Sequence, residues 1–506
     1  MSRVLKVILL VLLAVGVALP TAYTTFIHSE RSVVIGAHQA TVSPDFTGYA
    51  RIDSGPVLPA VRLPVHAPLN IGLDINLGAA DVNDLNELIA RDAVIASQPN
   101  GEIATVKSTI TSMAVDAALR AVGAAILAVL LAVLAWKGVG PDRRRLIRQG
   151  IRHPNRRRAA ALGGVALLTL VAMGLIAVPE RPDGDGTTWA PIESVFPELP
   201  QDPVLETLQI AEGASTDGSQ ALVQSAFKTY RDSVSFYGKL AVAAETVNVR
   251  TPESGETTAL VVTDRHDNIG MDPVARAVAD RAHAHLLIDL GDDTSNGAKW
   301  EAFSLNSLAR EFKGFDVVSV AGNHDQGRNV SKQMVDKGFH LLAGKPVTID
   351  GIRFLGSSDP RSSGYTAGYN GNESDNIASI HAQDEALTKA ACADRGVAVI
   401  AVHSPSSAKQ AAASGCADLV LSGHLHRQIG PTVVNGSNGR STTTLTTGTT
   451  GGAVFAFALG SKLRHDAQVT IVTFKDGRPV GLQPVTFEQG GAIKAEAYAP
   501  ITTSPR

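Results

Sequence analysis

The sequence predicts an α/β fold, a β-sandwich of mixed sheets flanked by helices, preceded by three transmembrane helices and a small β-rich extracytoplasmic segment. Three observations predict it. Strand, polar-loop and helix patterns alternate from about residue 244 onward, which is the signature of sheets covered by helices. Three earlier stretches are almost purely apolar and each is roughly 20 residues long, the length needed to cross a bilayer. Between the second and third of these lies a loop with nine Lys or Arg against one Asp. Aromatics make up 5% of the 506 residues while 44% are hydrophobic, so the apolar content is aliphatic, as lipid-facing helices and buried strands require. A net charge of -3 leaves no basic surplus, and no nucleic-acid partner is expected.

In chain order, residues 1–22 hold the first span. Val4 to Ala22 follows a short basic start, Arg3 and Lys6. Its end, Leu19-Pro20-Thr21-Ala22, lacks a small-x-small cleavage site, which favours an uncleaved anchor over a cleaved signal peptide. Residues 23–116 mix short alternating stretches such as Val33-Val34-Ile35 and Ala50-Arg51-Ile52 with Pro56, Pro59, Pro64 and Pro68, the pattern of a small β-rich unit. From 81 the pattern turns helical, with Leu85, Leu88, Ile89 and Val94 leading into the second span, 117–136. Its single charge, Arg120, sits near the start, within reach of the interface. The basic loop 137–158 is the positive-inside signature and is placed in the cytoplasm, which puts residues 23–116 and everything after 179 outside it. The third span, 159–178, has no charge between Ala159 and Val178.

Residues 179–243 read as a Pro-, Asp- and Gly-rich linker followed by an amphipathic helix, with Val223, Phe227, Tyr230, Val234 and Tyr237 forming its apolar stripe. In 244–490, strands are expected at Thr258-Thr263, Ala284-Leu290, Phe315-Ala321, Gly351-Leu355, Gly396-Val402 and Ala417-Ser422. Helices are expected at Asp272-His283, Lys299-Phe312, Ala382-Cys392 and Ser407-Ser414. Antiparallel strands follow at Thr442-Thr447, Ala453-Ala458, Gln468-Phe474 and Val480-Phe487, with Asp476-Gly477 as a turn, and 491–506 form a tail. Cys392 and Cys416 either pair, as an oxidising compartment allows, or remain two buried thiols.

Five strand ends carry the chemistry. Asp264-Arg265-His266 follows the first strand, Gly291-Asp292-Asp293 the second and Gly322-Asn323-His324-Asp325 the third. His403 follows the fifth, Gly396-Val402, and Gly423-His424-Leu425-His426 the sixth, Ala417-Ser422. Each fragment alone has an ordinary explanation as a cap, a turn or a satisfied histidine. Together they gather carboxylates, imidazoles and one amide without thiolates, a donor set suited to two divalent ions such as Mn, Zn or Fe rather than to a structural zinc cage. Two carboxylates against two dications leave about +2, which attracts phosphate.

This ordered set, Asp-x-His, Gly-Asp, Gly-Asn-His-Asp, His and Gly-His-x-His, resembles the calcineurin-like metallophosphoesterase superfamily over roughly residues 244–490. The resemblance implies that Asp264, His266, Asp292 and His426 bind one ion, and that Asp292, Asn323, His403 and His424 bind its neighbour, Asp292 bridging. It further implies that His324 acts on the substrate, that Asp325 orients His324 through a hydrogen bond, and that a metal-activated hydroxide attacks phosphorus. The implied activity is a membrane-anchored phosphohydrolase cleaving phosphomonoester, phosphodiester or pyrophosphate bonds. Its substrate would be a phosphorylated small molecule or lipid, its location a multi-pass protein of the cell membrane with an extracytoplasmic catalytic domain. The competing reading is a non-catalytic metal-binding or scaffolding protein that keeps the same fold.

Four points depart from the motifs or lie outside them. Residues Asp293-Thr294-Ser295-Asn296-Gly297 lack the arginine that marks the protein serine/threonine phosphatase branch, which disfavours that substrate class. Arg265 either touches phosphate or faces solvent. The segment Gly356 to Asn376, with Arg361, Tyr365 and Tyr369, either overhangs the site or forms a surface insertion. His283, His285, His340, His381 and His465 match no motif and are taken as structural.

Overall fold

A computed structural model describes residues 3–35, 38–53, 59–65, 70–80, 100–145, 187–195, 207–212, 228, 231–364, 368–394, 396–453 and 462–504. The chain divides into two units, one formed by residues 1–81 with 102–224, the other by 82–101 with 225–506.

In the first unit, helix α1 (Arg3–Ile27) precedes strands β1 (Arg31–Ile35), β2 (His38–Asp45), β3 (Tyr49–Asp53), β4 (Val61–Pro64) and β5 (Gly72–Ala80). Helix α2 (Asn100–Gly138) follows. The described parts of α1 and α2 include stretches, Val7–Ile27 and Thr105–Gly138, long and apolar enough to cross a membrane. The expected third span, 159–178, and the helical pattern at Leu85 to Val94 lie outside the described residues. Within 23–116, strands β1 to β5 belong to a sheet of order β1-β2-β5-β3-β4-β7-β6 among the described residues. Its last two strands, β6 (Trp189–Pro191) and β7 (Gln209–Ala211), come from the region expected to hold the linker and amphipathic helix. They were illegible because three residues are too short for any period to register. β7 pairs antiparallel with β4, Val61 opposite Ile210, so segments before and after α2 close one sheet. Ala40, Val42, Leu73, Ile75 and Met113 form its small core.

The second unit is built from two mixed sheets. One runs β11 (His340–Leu341), β10 (Asp316–Ser319), β9 (Leu286–Asp289), β8 (Glu256–Val262), β18 (Ala467–Lys475), β19 (Arg478–Phe487) and β20 (Ile493–Ala495), with β21 (Ala499–Pro500) also on β19. The other runs β12 (Val347–Ile349), β13 (Ile352–Ser357), β14 (Val399–Val402), β15 (Leu419–Ser422), β17 (Ser441–Thr446) and β16 (Ile429–Asn435). Strands β8, β9 and β10 are mutually parallel, as are β13, β14, β15 and β17.

Alternation along each strand explains the layering, because successive side chains leave opposite faces. Ala259, Val261, Leu286 and Ile288 meet Val399, Ala401, Leu419 and Leu421 in a core between the sheets. The intervening Leu260, Val262 and Leu287 pack outward on α3 (Met271–Arg281), α4 (Ala302–Glu311) and α5 (Gly327–Asp336). On the far side, Ile400, Val402 and Val420 pack on α6 (Glu373–Asp394) and α7 (Lys409–Ser414). Strands buried on both faces read as continuous apolar runs, which is how they stood out in the sequence.

The helical stripe before this domain needs a correction. Residues 231–244 are helical, with Tyr237, Leu240 and Ala244 buried, but Val234 is exposed. Val234 lies about 60° around the helix from Tyr237, three steps of 100°, and the buried stripe falls on Tyr237's other side, toward Leu240 and Ala244. Val223, Phe227 and Tyr230 lie outside the described residues, as does most of the expected strand Ala453-Ala458. Cys392 and Cys416 form a disulfide that ties the end of α6 to the entry of β15.

Candidate metal centre and active site

Parallel strands release their polar loops at one edge, and two sheets packed face to face bring two sets of such loops together. Six of the seven expected ligands gather there in two clusters, and the seventh, Asn323, precedes His324, whose amide donates to Asp292. Asp264, His266 and His426 form one cluster and Asp292, His403 and His424 a second, the donor atoms within each lying no more than 4.8 Å apart. Nε2 of His426 is 3.2 Å from Oδ1 of Asp264, and Nε2 of His266 is 3.0 Å from Nε2 of His426. In the second cluster, Nε2 of His403 is 3.1 Å from Oδ2 of Asp292 and 3.2 Å from Nδ1 of His424. The same Oδ2 of Asp292 is 3.8 Å from Nε2 of His266, so this one carboxylate faces both clusters.

These spacings fit metal ions. Ligand atoms held about 2.1 Å from one ion, at tetrahedral or octahedral angles, stand roughly 3.0–3.4 Å apart. Imidazole nitrogens facing each other at that distance otherwise share at most one proton. Oδ1 of Asn323 is a buried acceptor with no hydrogen-bond donor, which a native interior rarely tolerates without a ligand. The backbone carries strain at the same places: Asp264, His266, Asp292, His424 and His426 all have positive φ, between 45° and 70°.

The electrostatics agree. Burial alone would lower His403, but the Asp292 and Asp264 carboxylates outweigh it and push it up to about 10. Burial would raise Asp264, yet His426 and His403 hold it below the usual carboxylate range. His266 is pushed down to about 3, chiefly by burial, and His424 to about 4 by burial and the neighbouring His403. Positive charge between carboxylate and imidazole is therefore favoured in each cluster, a place that a cation fills as well as a proton.

Surrounding contacts fix the ligands. His403 Nδ1 meets the Leu290 carbonyl at 2.8 Å, and His426 Nδ1 the Ala453 carbonyl at 3.0 Å, which directs the other ring nitrogen of each toward its cluster. The His424 amide donates to Asp264 Oδ2 and the His324 amide to Asp292 Oδ1, both at 2.8 Å. The motif glycines follow from this crowding. A Cβ at Gly322 would stand 2.1 Å from Asp292 Oδ1, and one at Gly423 would stand 2.6 Å from Asp264 Oδ2, so neither loop could close around its ligand.

His324 and Asp325 sit in the centre, but not in the expected relation. Nδ1 of His324 lies 2.9 Å from the Ser295 carbonyl. Asp325 instead accepts backbone N–H groups from Gly322, Asp292 and Thr294 and the Thr294 hydroxyl, at 2.7 to 3.0 Å. The expected hydrogen bond from Asp325 to the imidazole is therefore replaced by a clamp joining the two ligand loops. Burial, helped by Asp293 and Asp292, pushes the Asp325 carboxyl up to about 7.

Arg265 also differs from both alternatives read in the sequence. It is fully buried and donates to Asp272, Asp293 and the Ser304 carbonyl, so it meets neither phosphate nor solvent. The segment from Gly356 does reach the centre. Ser363 exchanges hydrogen bonds with Asn323, through Asn323 Nδ2 to Ser363 Oγ at 3.0 Å and the Ser363 amide to the Asn323 carbonyl at 2.8 Å. The Tyr369 hydroxyl lies 2.7 Å from Nε2 of His424. Ser363 carried no signal of its own in the sequence. Of the unmatched histidines, His285 pairs with Asp350 and His340 with Asp316 on the surface.

Residues 257–428 match the family model described as calcineurin-like phosphoesterase. A solved structure described as a novel archaeal phosphodiesterase aligns over 47% of this chain and 99% of its own, at 11% sequence identity and a TM-score of 0.24. No curated protein matches the chain. The matched residues contain Asp264, His266, Asp292, Asn323, His403, His424 and His426, and over that span the chain carries a domain of the calcineurin-like phosphoesterase family.

Proposed function

We propose that this protein is a membrane-anchored, binuclear metal-dependent phosphohydrolase whose catalytic domain lies outside the cytoplasm. The observation that carries the reading is Asp292, one buried carboxylate facing two ligand clusters. Two divalent ions bound there would supply charge neutralisation for phosphate and activation of water. The rest falls to the chain's own residues. Asp264, His266 and His426 hold one position, and His403, His424 and the unpartnered Oδ1 of Asn323 hold the other, with Asp292 shared. His324 serves as the proton-transfer group. With Nδ1 fixed on the Ser295 carbonyl, Nε2 is the nitrogen that can give a proton to the leaving oxygen. Asp325 keeps the two ligand loops in register.

Three features support the location. Side chains on α1 and α2 such as Leu12, Leu19, Leu119 and Leu134 are uncovered. The basic loop 137–158 follows α2 and favours the cytoplasm. The Cys392–Cys416 disulfide suits an oxidising compartment.

The test uses the detergent-purified full-length protein, loaded with Mn2+, against aryl phosphate monoesters, diesters and a pyrophosphate. Metal-dependent turnover of at least one class, abolished by a chelator, is expected. Two bound ions with no hydrolysis of any ester would leave the scaffolding reading in its place. Replacing Asn323 by Ala removes the neutral oxygen donor, and metal analysis after dialysis is expected to show occupancy falling from two ions per chain toward one. Unchanged occupancy would remove Asn323 from the ligand set.

A further inference from the structure

A cavity of about 650 Å³ opens beside the second ligand cluster, lined by Arg361, Tyr369, Ile377, Ile380, Lys409 and Gln410. That volume is far larger than a phosphate group and falls within the range of roughly 300–1,000 Å³ found for organic ligands. Tyr369, which lines it, also touches the centre. Its hydroxyl touches His424 at 2.7 Å and its ring stacks on the imidazole at 6.1 Å between centroids.

Among polar neighbours that include Glu373, Asn376 and His381, the lining carries three apolar surfaces, Tyr369, Ile377 and Ile380. Arg361 does not offer a free charge, because its guanidinium makes two hydrogen bonds to the buried Asp359 at 2.9 and 2.7 Å and lies 4.2 Å from the Tyr369 ring centroid. Its contribution is to hold Tyr369 in place. Ile377 is 52% exposed and Tyr369 37%. Apolar side chains held open to water around a charged centre gain nothing from a bare phosphate, but they gain burial from an apolar group attached to it.

We infer that this cavity is the subsite for one ester group of the substrate, and that the substrate is a phosphodiester bearing an apolar alcohol. The inference rests on the phosphohydrolase reading and narrows it. Water adds to phosphorus, one P–O bond to an alcohol breaks, and that alcohol leaves with a proton. The second ester group remains on the phosphate throughout.

Methyl and octyl p-nitrophenyl phosphodiesters test this, since they release the same chromophore and differ only in the alkyl group. With full-length, Mn2+-loaded protein, kcat/KM is expected to be at least tenfold higher for the octyl ester, chiefly through KM. Ile377→Asp places a charge on an exposed wall position outside the ligand set, and is expected to erase most of that preference while two metal ions per chain stay bound. Equal turnover of the two esters, or a preference untouched by Ile377→Asp, overturns the subsite. Calorimetric binding of octyl against methyl phosphate gives a second readout. If no ester is hydrolysed, the phosphohydrolase reading fails on its own, while tighter binding of octyl phosphate that Ile377→Asp removes still upholds the cavity as an apolar subsite, and equal binding overturns it. Parallel assays on submicellar octyl ester and on phosphatidylglycerol vesicles separate a free amphiphile from a bilayer lipid as the source. Turnover of either that Ile377→Asp lowers supports the subsite.

Discussion

Replacing His324 by Ala is expected to lower phosphate-ester turnover by about 10²- to 10⁴-fold, the usual contribution of a positioned proton-transfer group, with two metal ions still bound. His324 belongs to neither ligand cluster, but its ring stands edge-on to His266 with centroids 5.1 Å apart. Its backbone amide, which the substitution retains, supplies the bond to Asp292 Oδ1. The alanine variant therefore keeps the loop and loses only the ring. Steady-state kinetics alongside metal analysis check this. Loss of metal in parallel with turnover would make His324 a ligand rather than an acid, and unchanged turnover would remove it from the reaction. A substrate with a leaving group of low pKa should be less affected, because its departing oxygen needs no proton.

The second large effect concerns stability. Arg265 has no exposure, and its partners Asp272 and Asp293 are at 1% and 0%. Breaking a buried ion pair from one side leaves charge without compensation, and Arg265→Met is expected to cost roughly 3–5 kcal/mol. For a domain of this size that corresponds to a fall in thermal midpoint of roughly 6–20 °C. Adding Asp272→Asn and Asp293→Asn to the same chain should recover much of the loss, because the unpaired carboxylates go with the guanidinium. Thermal unfolding of the single and triple variants decides the matter, and a single variant as stable as the parent would show that the triad contributes nothing. Asp293 adjoins Asp292, so the single variant should also bind metal less tightly.

Legibility in the sequence followed the physics of each element. The sandwich strands could be read because strands covered on both faces must be apolar throughout. Their ends were equally plain, since no core tolerates Asp, His and Asn in succession. Helix α5 went unread because only Val330 and Met334 of its ten residues are buried, too few to set a period. Arg265 misled because a charged side chain is rarely enclosed, and its two carboxylate partners lie 7 and 28 positions away. Asp325 misled differently. Its position beside a histidine suggested a pair, whereas the fold turns its carboxylate toward the amides of a loop over thirty residues earlier, at Asp292. Residue types at strand ends announce chemistry, but partners are chosen by loop geometry that no local pattern records.

The pairing of β4 with β7 constrains the path of the chain through a bilayer. Backbone hydrogen bonds between two strands cannot form through hydrocarbon, so Val61 and Ile210 stand on the same side of any membrane. Helix α2 lies between them in sequence. The number of crossings between residues 65 and 208 is therefore even, and a chain that goes out through α2 has to come back before β6.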